Sequence, residues 1–242
     1  MNLKSQQSRS QVILYDADCI TQPTSRLFEP DYWRQDQAIV EMMPGRGNTL
    51  LLETTFGPAV LRTCLRGGWM ARFSRDRYLF TGFRNARPLA ELRLLARLTA
   101  MRLPVPLPLA ALCTRSGLTY TGALLTRQIR AAKTLADMLQ VPLAGKAEWF
   151  RIGQCIRRFH DAGVIHPDLN ARNILLVCPG SGQVEVFLVD FDRAYMRSGA
   201  DRKFRGNLRR LRRSLTKLWP AAGVRELEPC WSELMAGYNS AS

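Results

Sequence analysis

The chain has 242 residues, 46% hydrophobic and 23% charged, enough for one large or two-lobed globular unit with a substantial core and too apolar for a disordered class. Thirty-five Lys and Arg against 20 Asp and Glu leave a net charge of +15 and a pI near 10.3. The partners to expect are therefore polyanions: nucleic acid, anionic lipid or a phosphorylated glycolipid.

The first 11 residues carry no apolar h-region and are expected to fray, with partial flexibility to about residue 25. Ile39 to Met43 and Thr49 to Thr55 are β-prone runs around the turn Pro44-Gly45-Arg46-Gly47-Asn48, and Ala59-Val60-Leu61-Arg62 is a third strand. A basic and aromatic segment follows, with Arg66, Arg72, Arg75 and Arg77 interleaved with Trp69, Phe73 and Tyr78. Pro88 opens a helix carrying Glu91, Leu92, Leu95 and Leu98 at helical spacing. Val105 to Leu112 and Thr119 to Thr126 read as two more strands. Five antiparallel strands with one helix inserted after the third make a small nucleotide-binding lobe, residues 1–127.

Beyond it, residues 128–242 read as a mostly helical lobe. Trp149, Ile152, Ile156 and Phe159 form a buried stripe on one helix. The loop His166-Pro167-Asp168-Leu169-Asn170-Ala171-Arg172-Asn173 follows Val164-Ile165 and runs into Ile174 to Val177. The run Val186 to Val189 then ends at Asp190-Phe191-Asp192. Asn207 is expected to cap a last helix with Leu208, Leu211, Leu215 and Leu218 inward and Arg209, Arg210, Arg212, Arg213 and Lys217 around them.

Six scattered cysteines (Cys19, Cys64, Cys113, Cys155, Cys178, Cys230) form no C-x-x-C pair, and there are two histidines. Buried thiols in a reducing compartment are expected, and no zinc site. No apolar run approaches the ~20 residues that span a bilayer, so membrane contact is expected to be peripheral.

Two acids and an amide at the ends of short strands suit phosphoryl transfer. Asp168 is the candidate general base, accepting the proton of an attacking hydroxyl. Asn173 and Asp190 offer hard oxygens for Mg²⁺. Asn170 stands where it can bond the moving phosphoryl group or the base. Arg62 can fork onto the phosphates of ATP or onto Glu91, which would hold it in place. Gly45 and Gly47 let backbone approach phosphate. His166 is expected to brace the loop and His160 to pack at a helix end. Asp192 either approaches the metal or caps the next turn.

The loop and the Asp190 segment resemble the H-R-D-L-x-x-x-N and D-F-G motifs of the protein-kinase-like superfamily. More specifically, Phe159 to Leu176, Val60-Leu61-Arg62 with Arg66-Gly67-Gly68, Leu103 to Pro108, Asp190-Phe191-Asp192-Arg193 and Asn207 to Leu215 are similar to 3-deoxy-D-manno-octulosonic acid (Kdo) kinases of Gram-negative bacteria. The similarity covers nearly all the chain beyond about residue 25. It implies an α+β, two-lobed kinase-like fold and ATP-dependent phosphorylation of the 4-hydroxyl of Kdo on a lipid A precursor, Kdo-lipid IVA. It also implies a peripheral enzyme on the cytoplasmic face of the inner membrane, with Asp168 at the catalytic position. Arginine at position 62 and D-F-D match that family and depart from protein kinases. Pro167 stands where the family more often has a small residue.

Arg66, Arg72, Arg75, Arg77 and the helix at Arg209 to Arg213 are then candidate contacts to an anionic membrane surface. Only 52 residues follow Asp190, with no A-P-E-like element, which argues for a small or glycolipid acceptor over a peptide. Another kinase of the superfamily, or a non-enzymatic basic nucleic-acid binder, remains an alternative. Nothing in the chain matches a nucleic-acid-binding motif, so no nucleic acid is expected.

Overall fold

The computed structural model describes residues 1–43, 49–63, 78–139, 145–178, 183–199, 201–219 and 226–240. Gly45, Gly47, Arg66, Arg72, Arg75 and Arg77 lie outside the described residues. The chain divides into two compact units: Met1–Arg97 with Pro106–Gln128, and Leu98–Val105 with Ile129–Ser242.

The first unit contains β1 (Leu3–Gln7), β2 (Gln11–Asp16), α1 (Pro30–Gln35), β3 (Ile39–Met43), β4 (Thr49–Thr54), β5 (Gly57–Thr63), β6 (Tyr78–Leu79), most of α2 (Arg87–Ala100), β7 (Pro108–Ser116) and β8 (Thr119–Arg127). Among the described residues the strands form one eight-stranded antiparallel sheet in the order β1-β2-β7-β8-β5-β4-β3, with β6 also on β8. The sheet is larger than the five strands expected. The added hairpin β1–β2 comes from the segment expected to fray. Its backbone is held in register on β7, from Gln11 opposite Thr114 to Tyr15 opposite Ala110, and Val12, Ile13 and Leu14 are buried. The polar run Lys4 to Gln7 lies on the outer strand, where one side faces solvent, and so hid the strand from hydropathy reading.

Alternation along the strands sorts the two faces. Leu50 and Leu52 of β4 and Ala59 and Leu61 of β5 pack with Trp33, Phe28 and Ile13 in one core. Trp33 Nε1 donates to the Leu27 carbonyl at 2.9 Å, which keeps its polar edge satisfied inside that core. Arg62, next to Leu61, faces the other way.

The second unit contains β9 (Ala132–Thr134), α3 (Leu135–Met138), α4 (Lys146–Asp161), β10 (Val164–Ile165), β11 (Ile174–Val177), β12 (Glu185–Leu188), β13 (Tyr195–Met196), α5 (Asp201–Leu218) and α6 (Leu227–Asn239). The stripe Trp149, Ile152, Ile156 and Phe159 is fully inward on α4. Helices α4 and α6 cross at glycines. A Cβ on Gly153 would lie 2.6 Å from the Tyr238 amide nitrogen, and one on Gly237 would lie 2.7 Å from the Phe150 carbonyl carbon. Only hydrogen side chains admit this backbone-to-backbone approach.

Three of the described cysteines (Cys113, Cys155 and Cys230) are buried. Burial pushes the Cys113 and Cys155 thiols up to about 12. Cys178 departs from the expectation of burial: it is exposed, just past the end of β11.

Candidate active site

The loop between β10 and β11 is fixed from three directions. Strands β11 and β12 pair antiparallel from Ile174 opposite Leu188 to Val177 opposite Glu185. Val189 N then donates to the Asn173 carbonyl at 3.0 Å. The segment bearing Asp168 and Asn173 is thus laced to the one bearing Asp190. His166 Nε2 lies 3.0 Å from the Val189 carbonyl, so that nitrogen carries the proton of a neutral ring. Phe191 is 1% exposed, its ring 5.0 Å from His166 and 5.9 Å from Phe159. His166 therefore braces the two segments, as expected.

Asp168 is about half-exposed, with its Oδ1 taking Arg210 Nε at 3.0 Å and Arg210 Nη2 beside it. Its carbonyl accepts from Asn170 Nδ2 and from Asn173 Nδ2, both at 2.9 Å. Asn170 Oδ1 in turn accepts from Arg172 N at 2.9 Å, turning the chain into a short 3-10 segment. Asn170 thus shapes the loop, holding the backbone of Asp168 rather than its carboxyl group. Asn173 is completely buried. Asp190 has φ +68, a left-handed conformation that costs a non-glycine residue about 1 kcal/mol and that Asp tolerates better than most.

The contact absent from the sequence reading comes from α5. Asn207 is no cap: α5 begins at Asp201, so Asn207 lies inside it and is buried. Its Oδ1 accepts from His166 N at 3.1 Å and its Nδ2 donates to the His166 carbonyl at 2.9 Å. Ser214 Oγ accepts from Ala171 N at 3.2 Å. Asn207, Arg210 and Ser214 follow at i, i+3 and i+7, one face of the helix. That face grips the loop before, at and after Asp168. The spacing was visible in the sequence, but Asn ahead of an apolar run also reads as a cap.

His160 packs in the last turn of α4 as expected, stacked on Phe204 at 4.4 Å. Its Nε2 is 3.3 Å from Asn207 Oδ1 and its Nδ1 is 2.8 Å from the Tyr238 hydroxyl. Burial lowers its pKa to about 4 and also lowers that of His166. Both lie below the unfolded value near 6.5. Their stabilising effect is thus complete above about pH 6.5 and is lost as pH falls toward the folded values. For His160 the loss between pH 7 and 4 is on the order of 3 kcal/mol. Urea unfolding of the parent and of His160→Gln across that range should show their stability difference shrinking by this amount. A difference independent of pH would exclude His160 as the titrating group.

In the other unit, Arg62 on β5 makes an ion pair through Nη2 with Glu91 Oε2 on α2. Glu91 is 3% exposed and the Arg62 side chain about a quarter exposed. The expected pair is therefore formed, with the acid buried and the guanidinium partly accessible.

The lipopolysaccharide kinase (Kdo/WaaP) family model matches residues 30–238. The chain belongs to the lipopolysaccharide kinase (Kdo/WaaP) family. A 3-deoxy-D-manno-octulosonic acid kinase of Xanthomonas oryzae pv. oryzae is 43% identical over 95% of this chain and 90% of its own length. The one from Stenotrophomonas maltophilia is 40% identical over the same shares. The one from Xanthomonas campestris pv. campestris is 45% identical over 85% of this chain and 80% of its own. A solved structure described as WaaP in complex with acyl carrier protein has TM-score 0.56 at 16% identity, covering 90% of this chain and 86% of that one, which establishes a kinase-like two-lobed fold.

This lipopolysaccharide kinase family member is a phosphotransferase acting on an alcohol group. Family membership implies ATP as phosphoryl donor. The donor set suits the magnesium that usually accompanies ATP: amide and carboxylate oxygens at Asn173, just before β11, and Asp190, just after β12, on two strands laced together, with no thiolate or imidazole required. Among the described residues, no helix is long and apolar enough to cross a membrane.

Proposed function

We propose that the chain transfers the γ-phosphoryl group of ATP to the 4-hydroxyl of Kdo on Kdo-lipid IVA during lipopolysaccharide biosynthesis. It would work as a peripheral enzyme at the cytoplasmic side of the inner membrane. The observation carrying this reading is an accessible Asp168 carboxylate on a rigidly clamped loop, in a chain 43% identical to a curated Kdo kinase over 95% of its length.

Asp168 takes the proton of the attacking hydroxyl. That oxygen bonds to the γ-phosphorus as the bond from the phosphorus to the β–γ bridging oxygen breaks, and ADP leaves. Asn170 acts by holding the backbone of Asp168. Asn173 and Asp190 would hold Mg²⁺, which when bound neutralises charge on the phosphates. Arg62, positioned by Glu91, would fork onto the phosphates, and Gly45 and Gly47 are proposed on grounds of sequence alone to let backbone approach phosphate.

The exposed Arg209, Arg212 and Arg213 line a surface groove of about 590 Å³ with Gly206 and Thr216. Arg212 also pairs with Glu228 and lies over Trp231. This positive helix face suits the phosphates of a lipid acceptor and an anionic membrane surface. Arg66, Arg72, Arg75 and Arg77 are proposed, on grounds of sequence alone, as contacts to an anionic membrane surface.

Transfer of labelled phosphate from ATP to purified Kdo-lipid IVA, with the product linkage assigned by NMR, tests the reading. No transfer, or transfer to another position, overturns it. Arg62→Lys should lower kcat/KM about tenfold or more, because an ammonium cannot replace a fork that meets both Glu91 and phosphate. Equal rates for the two proteins would remove Arg62 from the phosphate site.

A further inference from the structure

We infer that Arg210 reads the acidic group of the acceptor sugar beside the alcohol to be phosphorylated, while fixing the orientation of Asp168. This rests on the Kdo kinase reading above and deepens it. Three observations carry it. First, two nitrogens of the Arg210 fork, Nε and Nη2, meet a single oxygen of Asp168, Oδ1. The other carboxylate oxygen is left to face a hydroxyl, so Arg210 selects which oxygen acts as base. Second, a guanidinium has five donor hydrogens in one plane. With about half its side chain exposed, the Nη1 edge is open to a second anion in that plane. A carboxylate bound there lies alongside the hydroxyl that Asp168 deprotonates.

Third, Arg210 is held in place. It sits on α5 between Asn207 and Ser214, both bonded to the loop backbone at 2.9–3.2 Å. The helix and the loop therefore move as one body, and an anion on Arg210 is registered against Asp168. A carboxylate and an alcohol on one sugar ring fit such a pair of sites. A neutral sugar leaves the guanidinium edge without an anion. Arginine suits this task because its fork fixes both partners in direction, where lysine supplies only a point charge.

The test compares Kdo-lipid IVA with the same acceptor carrying its Kdo carboxyl group as a methyl ester. A charge-assisted pair of hydrogen bonds makes the parent enzyme prefer the acid by roughly 10- to 100-fold in kcat/KM. Arg210→Gln should treat acid and ester alike within about threefold, keep its KM for ATP, and recover part of the acid rate when guanidinium salt is added. Arg210→Lys should retain a reduced preference for the acid. A parent enzyme that uses ester and acid equally overturns the assignment, and so does an Arg210→Gln variant that keeps the parent's preference. A parent enzyme that phosphorylates neither acceptor overturns the Kdo kinase reading itself, which separates the two failures.

Discussion

Asp168→Ala should lower kcat on Kdo-lipid acceptor by roughly 10²- to 10⁴-fold, the range a general base supplies, while leaving ATP affinity within about threefold. The split follows from where the side chain points. Its carboxylate meets Arg210 and solvent, whereas the oxygens proposed for the metal nucleotide belong to Asn173 and Asp190. The loop itself is held through the Asp168 carbonyl, by Asn170 and Asn173, and alanine keeps that carbonyl. Removing the carboxylate therefore strips the base and spares the scaffold. Isothermal titration with a non-hydrolysable ATP analogue, beside steady-state turnover, measures both halves. Activity within tenfold of the parent would take the base role from Asp168. A large loss of nucleotide affinity would move Asp168 to the nucleotide side of the site.

Asn207→Ala should cost roughly 3–5 kcal/mol of unfolding free energy and take most of the activity with it. One amide satisfies both the N–H and the C=O of His166 in a place closed to water. Alanine orphans the N–H, at about 1–3 kcal/mol, and leaves the C=O with one donor, the Leu169 N–H at 3.0 Å. It also removes the partner of His160 Nε2. The equivalent truncation at Ser214 removes one accepted hydrogen bond and should cost about 1 kcal/mol. Denaturant midpoints of the two variants rank the contacts. An Asn207→Ala loss below about 1 kcal/mol would mean that another group or a water takes over the amide's two bonds.

The sequence and the structure agree best where chemistry forces residue type. The Arg62 to Glu91 pair joins facing elements, Asp168 lies in the loop between two short strands, and Asn173 and Asp190 lie beside strand ends, as their spacing indicated. The Trp149 stripe was legible because a buried helix face repeats at 3.6 residues. The N-terminal hairpin was not, because an outer strand can be polar on every side, as Lys4 to Gln7 are. Nor was the grip of α5 on the loop. Periodicity announces apolar contacts, but Asn207 and Ser214 act through hydrogen bonds to backbone, and Arg210 through one to the Asp168 carboxylate, all forty-odd residues away. A cluster of arginines in a chain of charge +15 reads as surface until one of them is found on the Asp168 carboxylate.

The brace for His166 lies 41 residues downstream of it. A ribosome delivers the whole kinase-like motif set, His166 through Asp192, before it delivers the amide that completes it. A nascent or prematurely terminated chain ending ahead of α5 carries that whole motif set, yet lacks the Asn207 amide that pairs with the His166 peptide groups. The loop thus gains its outside support late in translation, and the motif by itself is a segment without its clamp.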